Sequence, residues 1–220
     1  MMQFIYKDKL SHSNSLPFLS FLQIIELYPF PAPSQAGKTI KKGWADFSIS
    51  AFTDKKILKL LDPSKRKYDS QMLHIVEGSG AHLQLCFTLS SHDGSGVTMA
   101  NERDFLTQPQ IKEFFVQLVV CEPFWAHAAC HVTRTSFYNQ HFNTLEIEQK
   151  TMLADLNYFG KEELEKRGGF AAFESNPYLQ TQRIHDGLLV QVGESPDAFD
   201  TPEGEQLLVN AINALPPLKV

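Results

Sequence analysis

The chain has 220 residues, a formal net charge of -5 and 43% hydrophobic side chains. That composition is enough to bury a real core and argues against intrinsic disorder. Three cysteines, Cys86, Cys121 and Cys130, are an odd number without metal-ligand spacing, which argues against a disulfide framework and fits a reducing compartment.

The first expected element is a short strand at 4–7, followed by SHSNS, which offers caps to a helix over about 15–28. The apolar run LPFLSFLQIIELYPF is interrupted by Ser20, Gln23 and Glu26, one polar stripe at helical spacing. This favours a buried amphipathic helix over a signal peptide or membrane span, and so a cytoplasmic protein with no membrane partner. Pro29, Pro31 and Pro33 cannot donate backbone hydrogen bonds, so 29–43 is expected to be a loop or projecting arm.

Thr53 precedes DKKILKLLD, a short helix with its lysines turned to water. In HLQLCFTLS, Leu83, Leu85, Phe87 and Leu89 alternate with polar or small residues, the mark of a half-buried strand. The turn chemistry of SSHDGSG then predicts a hairpin into 97–100. A helix is expected over 107–122, with Thr107 as cap, Pro109 in the first turn, and Ile111, Phe114, Phe115, Leu118 and Val119 on one face.

FWAHAACHVTR reads as a strand, while 145–159 fits a helix or a strand equally. KEELEKRGGFAAF starts helically and is interrupted at Gly168-Gly169. Leu188, Val190 and Val192 alternate along a strand that follows Asp186-Gly187 and ends at Gly193. A closing helix over 201–216 has Thr201 at the N-cap, Pro202 in the first turn, and Glu203 and Glu205 near the positive end of its dipole. The expected architecture is one α+β domain over 1–220, a mainly antiparallel or mixed sheet with helices packed on it.

Charge is unevenly distributed. Residues 38–67 carry nine Lys/Arg against three Asp. Between Arg183 and Lys219 there is no lysine or arginine, yet there are six carboxylates: Asp186, Glu194, Asp197, Asp200, Glu203 and Glu205. Such asymmetry steers partners of opposite sign. The basic segment sits in an acidic protein and matches no recognition module, so nucleic acid is not an expected partner.

HAACH places His127 and His131 on one face, but it lacks the Glu of HExxH and further ligands, and strand alternation turns Cys130 away. No metal or other cofactor is expected there. The two HDG sequences, at 92–94 and 185–187, read as turns more readily than as His-Asp catalytic pairs. No phosphate loop and no nucleophile elbow is present. A small metal-dependent or hydrolytic enzyme would have to use His127, His131 or His185.

Three stretches together carry a resemblance. DKKILKLLDPSKRKYDSQ leads to HLQLCFTLS, FFVQLVVCEPFWAHAACHVTR passes from helix to strand, and RIHDGLLVQVGESPDAFDTPEGEQLLVNAINAL closes the chain. With Glu122-Pro123-Phe124-Trp125 and Asp186-Gly187-Leu188-Leu189 as its clearest points, this pattern over about 54–215 resembles the immunity protein 52 family of bacterial polymorphic toxin systems.

That resemblance implies an α+β fold, no enzymatic activity, and neutralisation of a cognate toxin, often a nuclease effector delivered by a type VI secretion system. Under this reading the toxin-binding residues are Tyr178, Asp186, Glu194, Asp197 and Asp200. The rivals are the enzyme named above and a non-catalytic adaptor for some other basic protein. The oligomeric state is not legible in the sequence.

Overall fold

A computed structural model describes residues 2–6, 34–40, 43–46, 70–77, 82–89, 95–102, 107–119, 123, 125–128, 139–193 and 201–218. The helices expected at 15–28 and 54–62, the HDG at 92–94, Cys130, His131, and Glu194, Asp197 and Asp200 lie outside the described residues. The fold is α+β. Contacts divide the chain into two compact units, Met2–Cys121 and Glu122–Val220, a finer division than the one domain suggested by the sequence.

The first unit is built on antiparallel strands in the order β3-β2-β4-β5-β6-β1. These are β1 (Met2–Tyr6), β2 (Ser34–Ile40), β3 (Gly43–Asp46), β4 (Ser70–Glu77), β5 (His82–Leu89) and β6 (Ser95–Glu102). The alternating HLQLCFTL is β5, and it turns into β6 with Leu89 opposite Ser95, as its turn residues predict. The loop expected over 29–43 is corrected at Ser34–Ile40, which forms β2 between β3 and β4. Pairing can override a local signal here because the prolines end at Pro33, so every residue of β2 keeps its N–H.

Helix α1 (Gln108–Val119) closes the described part of this unit. Phe114, Phe115, Leu118 and Val119 are fully buried and Ile111 nearly so, as their spacing requires. Its start differs in detail from a simple Thr cap. The Thr107 N–H and hydroxyl both donate to Gln110 Oε1, each at 2.9 Å, so the glutamine side chain reaches back to Thr107 rather than the threonine forward.

The second unit carries the order β7-β8-β10-β9, again antiparallel throughout: β7 (Trp125–Ala128), β8 (Leu156–Phe159), β9 (Leu179–Ile184) and β10 (Gly187–Val192). Its helices are α2 (Thr144–Gln149), α3 (Lys161–Lys166), α4 (Gly169–Glu174) and α5 (Pro202–Asn213). The ambiguous stretch 145–159 resolves into both structures. Asn143 and Glu146 form a reciprocal capping box that starts α2, and the chain then straightens into β8.

One core holds the unit together. Phe159 of β8 and Leu188, Val190 and Val192 of β10 face Leu164 of α3, Phe173 of α4, and Leu208, Ala211 and Ile212 of α5. Burying each large apolar side chain contributes roughly 1.5–3 kcal/mol. Glu163 is buried beside this core, and Lys166 Nζ at 2.8 Å and Arg167 Nη2 at 2.6 Å donate to its two carboxylate oxygens. Burial alone would raise its pKa, but the hydrogen bonds and charges of the two cations outweigh that, so the carboxyl titrates below the ordinary glutamate value.

Candidate functional site

Because the carboxylate run begins at the β9-β10 hairpin and ends in α5, the geometry between those elements decides what it can do. The hairpin turn is His185-Asp186, with Ile184 opposite Gly187. His185 has φ 53, the left-handed value that a two-residue hairpin needs at its first turn position, and both turn residues are exposed. At 185–187 the reading of HDG as a turn is therefore the observed one. Gly187 is required for packing rather than for the turn, because a Cβ there would meet the Phe159 carbonyl oxygen at 2.6 Å and the Tyr158 hydroxyl more closely still.

Tyr178 lies at the opposite end of β9, after α4 and the turn at Asn176-Pro177. Its ring is half-buried against the core, and its carbonyl accepts from the Gly193 N–H at 3.2 Å. The Asn176 side chain ties this corner down. Its amide donates to the Ala211 carbonyl of α5 at 2.9 Å, and its oxygen accepts from the Tyr178 N–H at 3.1 Å. Six residues of extended chain place Tyr178 and Asp186 about 20 Å apart. The structure therefore does not bring these two candidate residues together, and Tyr178 has a packing role alongside any contact it makes.

Gly193 has φ 70, which favours glycine, and an added Cβ would lie 2.8 Å from Leu207 Cδ2 of α5. It is thus the fixed near end of the segment that holds Glu194, Asp197 and Asp200. The far end is fixed by Thr201, whose hydroxyl accepts from the Gly204 N–H at 3.1 Å and caps α5. Pro202, Glu203 and Glu205 occupy the first turn as the sequence predicts. The Glu205 carboxylate also lies 3.8 Å from His141 Nε2.

Near its end α5 is met by Lys150, which donates to Asn213 Oδ1, while the Leu218 N–H donates to the Gln149 carbonyl at 2.7 Å. Leu145 on α2 is 68% exposed, the one exposed large hydrophobic among the described residues.

Beyond the predicted set, β9 carries an ion pair that spacing could not reveal. Arg183 Nε and Nη2 donate to Glu174 Oε1 and Oε2 at 2.7 and 2.9 Å, and the guanidinium lies 4.4 Å from the Phe170 ring centroid. The arginine hydrogen bonds hold the Glu174 carboxyl below its ordinary value and raise Arg183 in turn. The last basic residue before the acidic run is therefore charge-balanced by its own neighbour.

Of the histidines considered for catalysis, His127 sits in β7 opposite Asn157 and His185 in the hairpin turn. Among the described residues no three His, Cys, Asp or Glu side chains are grouped to hold a metal ion. Against known protein families, curated proteins and solved structures, the chain shows no match.

Proposed function

We propose that this chain is an immunity protein that binds and neutralises a cognate bacterial toxin, with a nuclease effector of a type VI secretion system as the toxin class. The reading begins with the sequence resemblance, and one structural observation supports it. The segment bearing Glu194, Asp197 and Asp200 starts and ends on fixed points of the second unit, Gly193 and the capped Thr201. A nuclease holds phosphates on a cationic surface, so a carboxylate-rich face is attracted to it and can occupy the phosphate sites. In this reading the protein performs no catalysis and needs no cofactor. No helix among the described residues is long and apolar enough to cross a membrane, and the cytoplasm, where a nuclease toxin acts, is the proposed place of capture.

The two groups of acids separate the roles of binding and folding. With the protein encoded beside this chain as the toxin, Glu194→Gln/Asp197→Asn/Asp200→Asn is expected to slow association several-fold at low salt and to flatten its salt dependence, with melting unchanged. Glu203→Gln/Glu205→Gln is expected to do the reverse, losing about 0.3–1 kcal/mol per residue from the helix dipole and leaving capture intact. Equal association rates for the loop triple variant and wild type would remove the acidic surface from the mechanism.

A further inference from the structure

The outer edge of β9 presents a backbone ladder whose groups can be assigned from register. Gly193 N–H bonds the Tyr178 carbonyl one rung beyond the Val192–Leu179 pairing, so the register continued by one makes this rung a hydrogen-bonded one. In an antiparallel ladder such pairs alternate. Gln180, Gln182 and Ile184 therefore direct their N–H and C=O groups toward β10, and Leu179, Thr181 and Arg183 direct theirs away from it. The Leu179 N–H is already used, donating to the Asn176 carbonyl at 3.2 Å. Among the described residues β9 has β10 as its one strand neighbour, and Gln180, Gln182 and Arg183 are exposed.

Two usual protections of a sheet edge, proline and lysine, are absent from this strand, and its single charge is balanced in place by Glu174. We infer that β9 pairs antiparallel with β9 of a second copy of this chain, with Thr181 at the two-fold axis. In that register the two Thr181 residues exchange both backbone bonds, and each Arg183 N–H donates to the Leu179 carbonyl of the other copy. The same rung sets the Leu179 N–H opposite the Arg183 carbonyl of the other copy, and because that N–H already donates to Asn176, the rung is made by one bond in place of two.

Side chains agree with the register. Thr181 faces Thr181 and each Gln180 faces a Gln182, pairs that hydrogen-bond across a sheet, while each Arg183 faces Leu179 instead of its own equivalent. A register moved by two residues would place the two Arg183 diagonally adjacent. The seam is short beside the roughly 1,200–2,000 Å² of a stable interface, so pairing is an equilibrium governed by concentration.

Sedimentation velocity of the full chain over a wide concentration series tests this. The weight-average mass is expected to rise from the 24.9 kDa of one chain toward double that value. Thr181→Pro removes only an outward N–H and is expected to stay monomeric throughout, whereas Thr181→Ala, which keeps the backbone donor, still pairs. A wild-type chain that remains monomeric at every concentration, or a folded Thr181→Pro variant that associates as the wild type does, overturns the inference. Should Thr181→Pro fail to fold, amide exchange of the wild type decides. Exchange at Thr181 and Arg183 must slow as concentration rises, and rates independent of concentration overturn the pairing.

Discussion

β9 and β10 are joined by two residues and share every rung of one ladder, yet they occupy opposite environments. All six residues of β10 are buried, while β9 has three exposed positions and none fully buried. The difference follows from the sequences GLLVQV and LQTQRI placed in one hairpin. An apolar strand can be covered on both faces and flanked by strands on both sides, while a polar one is stable only where water reaches it. The two strands therefore differ in how much of the fold's stability they carry, and substitutions should tell them apart.

The largest effect is expected in the buried strand. Leu188→Ala removes a fully buried side chain from the core and is expected to cost about 2–5 kcal/mol in denaturant unfolding. Gly187→Ala should follow, at about 1–3 kcal/mol, since the new methyl collides with the Phe159 carbonyl and Tyr158 at the strand's first residue. A Gly187→Ala chain as stable as wild type would show that the hairpin can shift along β8, and the sharp boundary between the two strands would fail.

A smaller effect depends on pH and lies in α3, against β8. Because Glu163 titrates lower in the folded protein than in the unfolded chain, its contribution is present above the unfolded value and is lost as pH falls through the folded one. Glu163→Gln should therefore flatten the acid side of a stability-against-pH curve below the ordinary glutamate range, with the loss relative to wild type greatest near neutrality. Parallel curves for the two proteins would refute that linkage. The smallest effect belongs to the exposed strand, where Gln182→Ala should change the melting free energy by less than about 0.5 kcal/mol.

Local signals carried much of the fold into the sequence. The alternation in HLQLCFTL, the helical spacing from Ile111 to Val119, the Gly168-Gly169 break and the Thr201-Pro202 start all correspond to observed elements, because each depends on neighbours within a few residues. Features set by distant partners were not legible. Ser34–Ile40 is a strand because β3 and β4 flank it, and Tyr178 and Asp186 are separated because β9 runs its full length between them. Buried asparagines gave no periodic signal at all. Asn157 locks Ala154 through bonds of 2.7 and 2.8 Å to its N–H and carbonyl, and Asn176 reaches a carbonyl 35 residues away.

That reach of Asn176 sets an order of events during synthesis. The corner at Asn176 and the hairpin that follows are synthesised before Ala211, and until α5 arrives the Asn176 amide lacks its acceptor and the core face of Val190 and Val192 lacks its cover. The unit therefore keeps an open apolar seam until α5 docks, so its closure follows the release of 201–218 and not that of the hairpin.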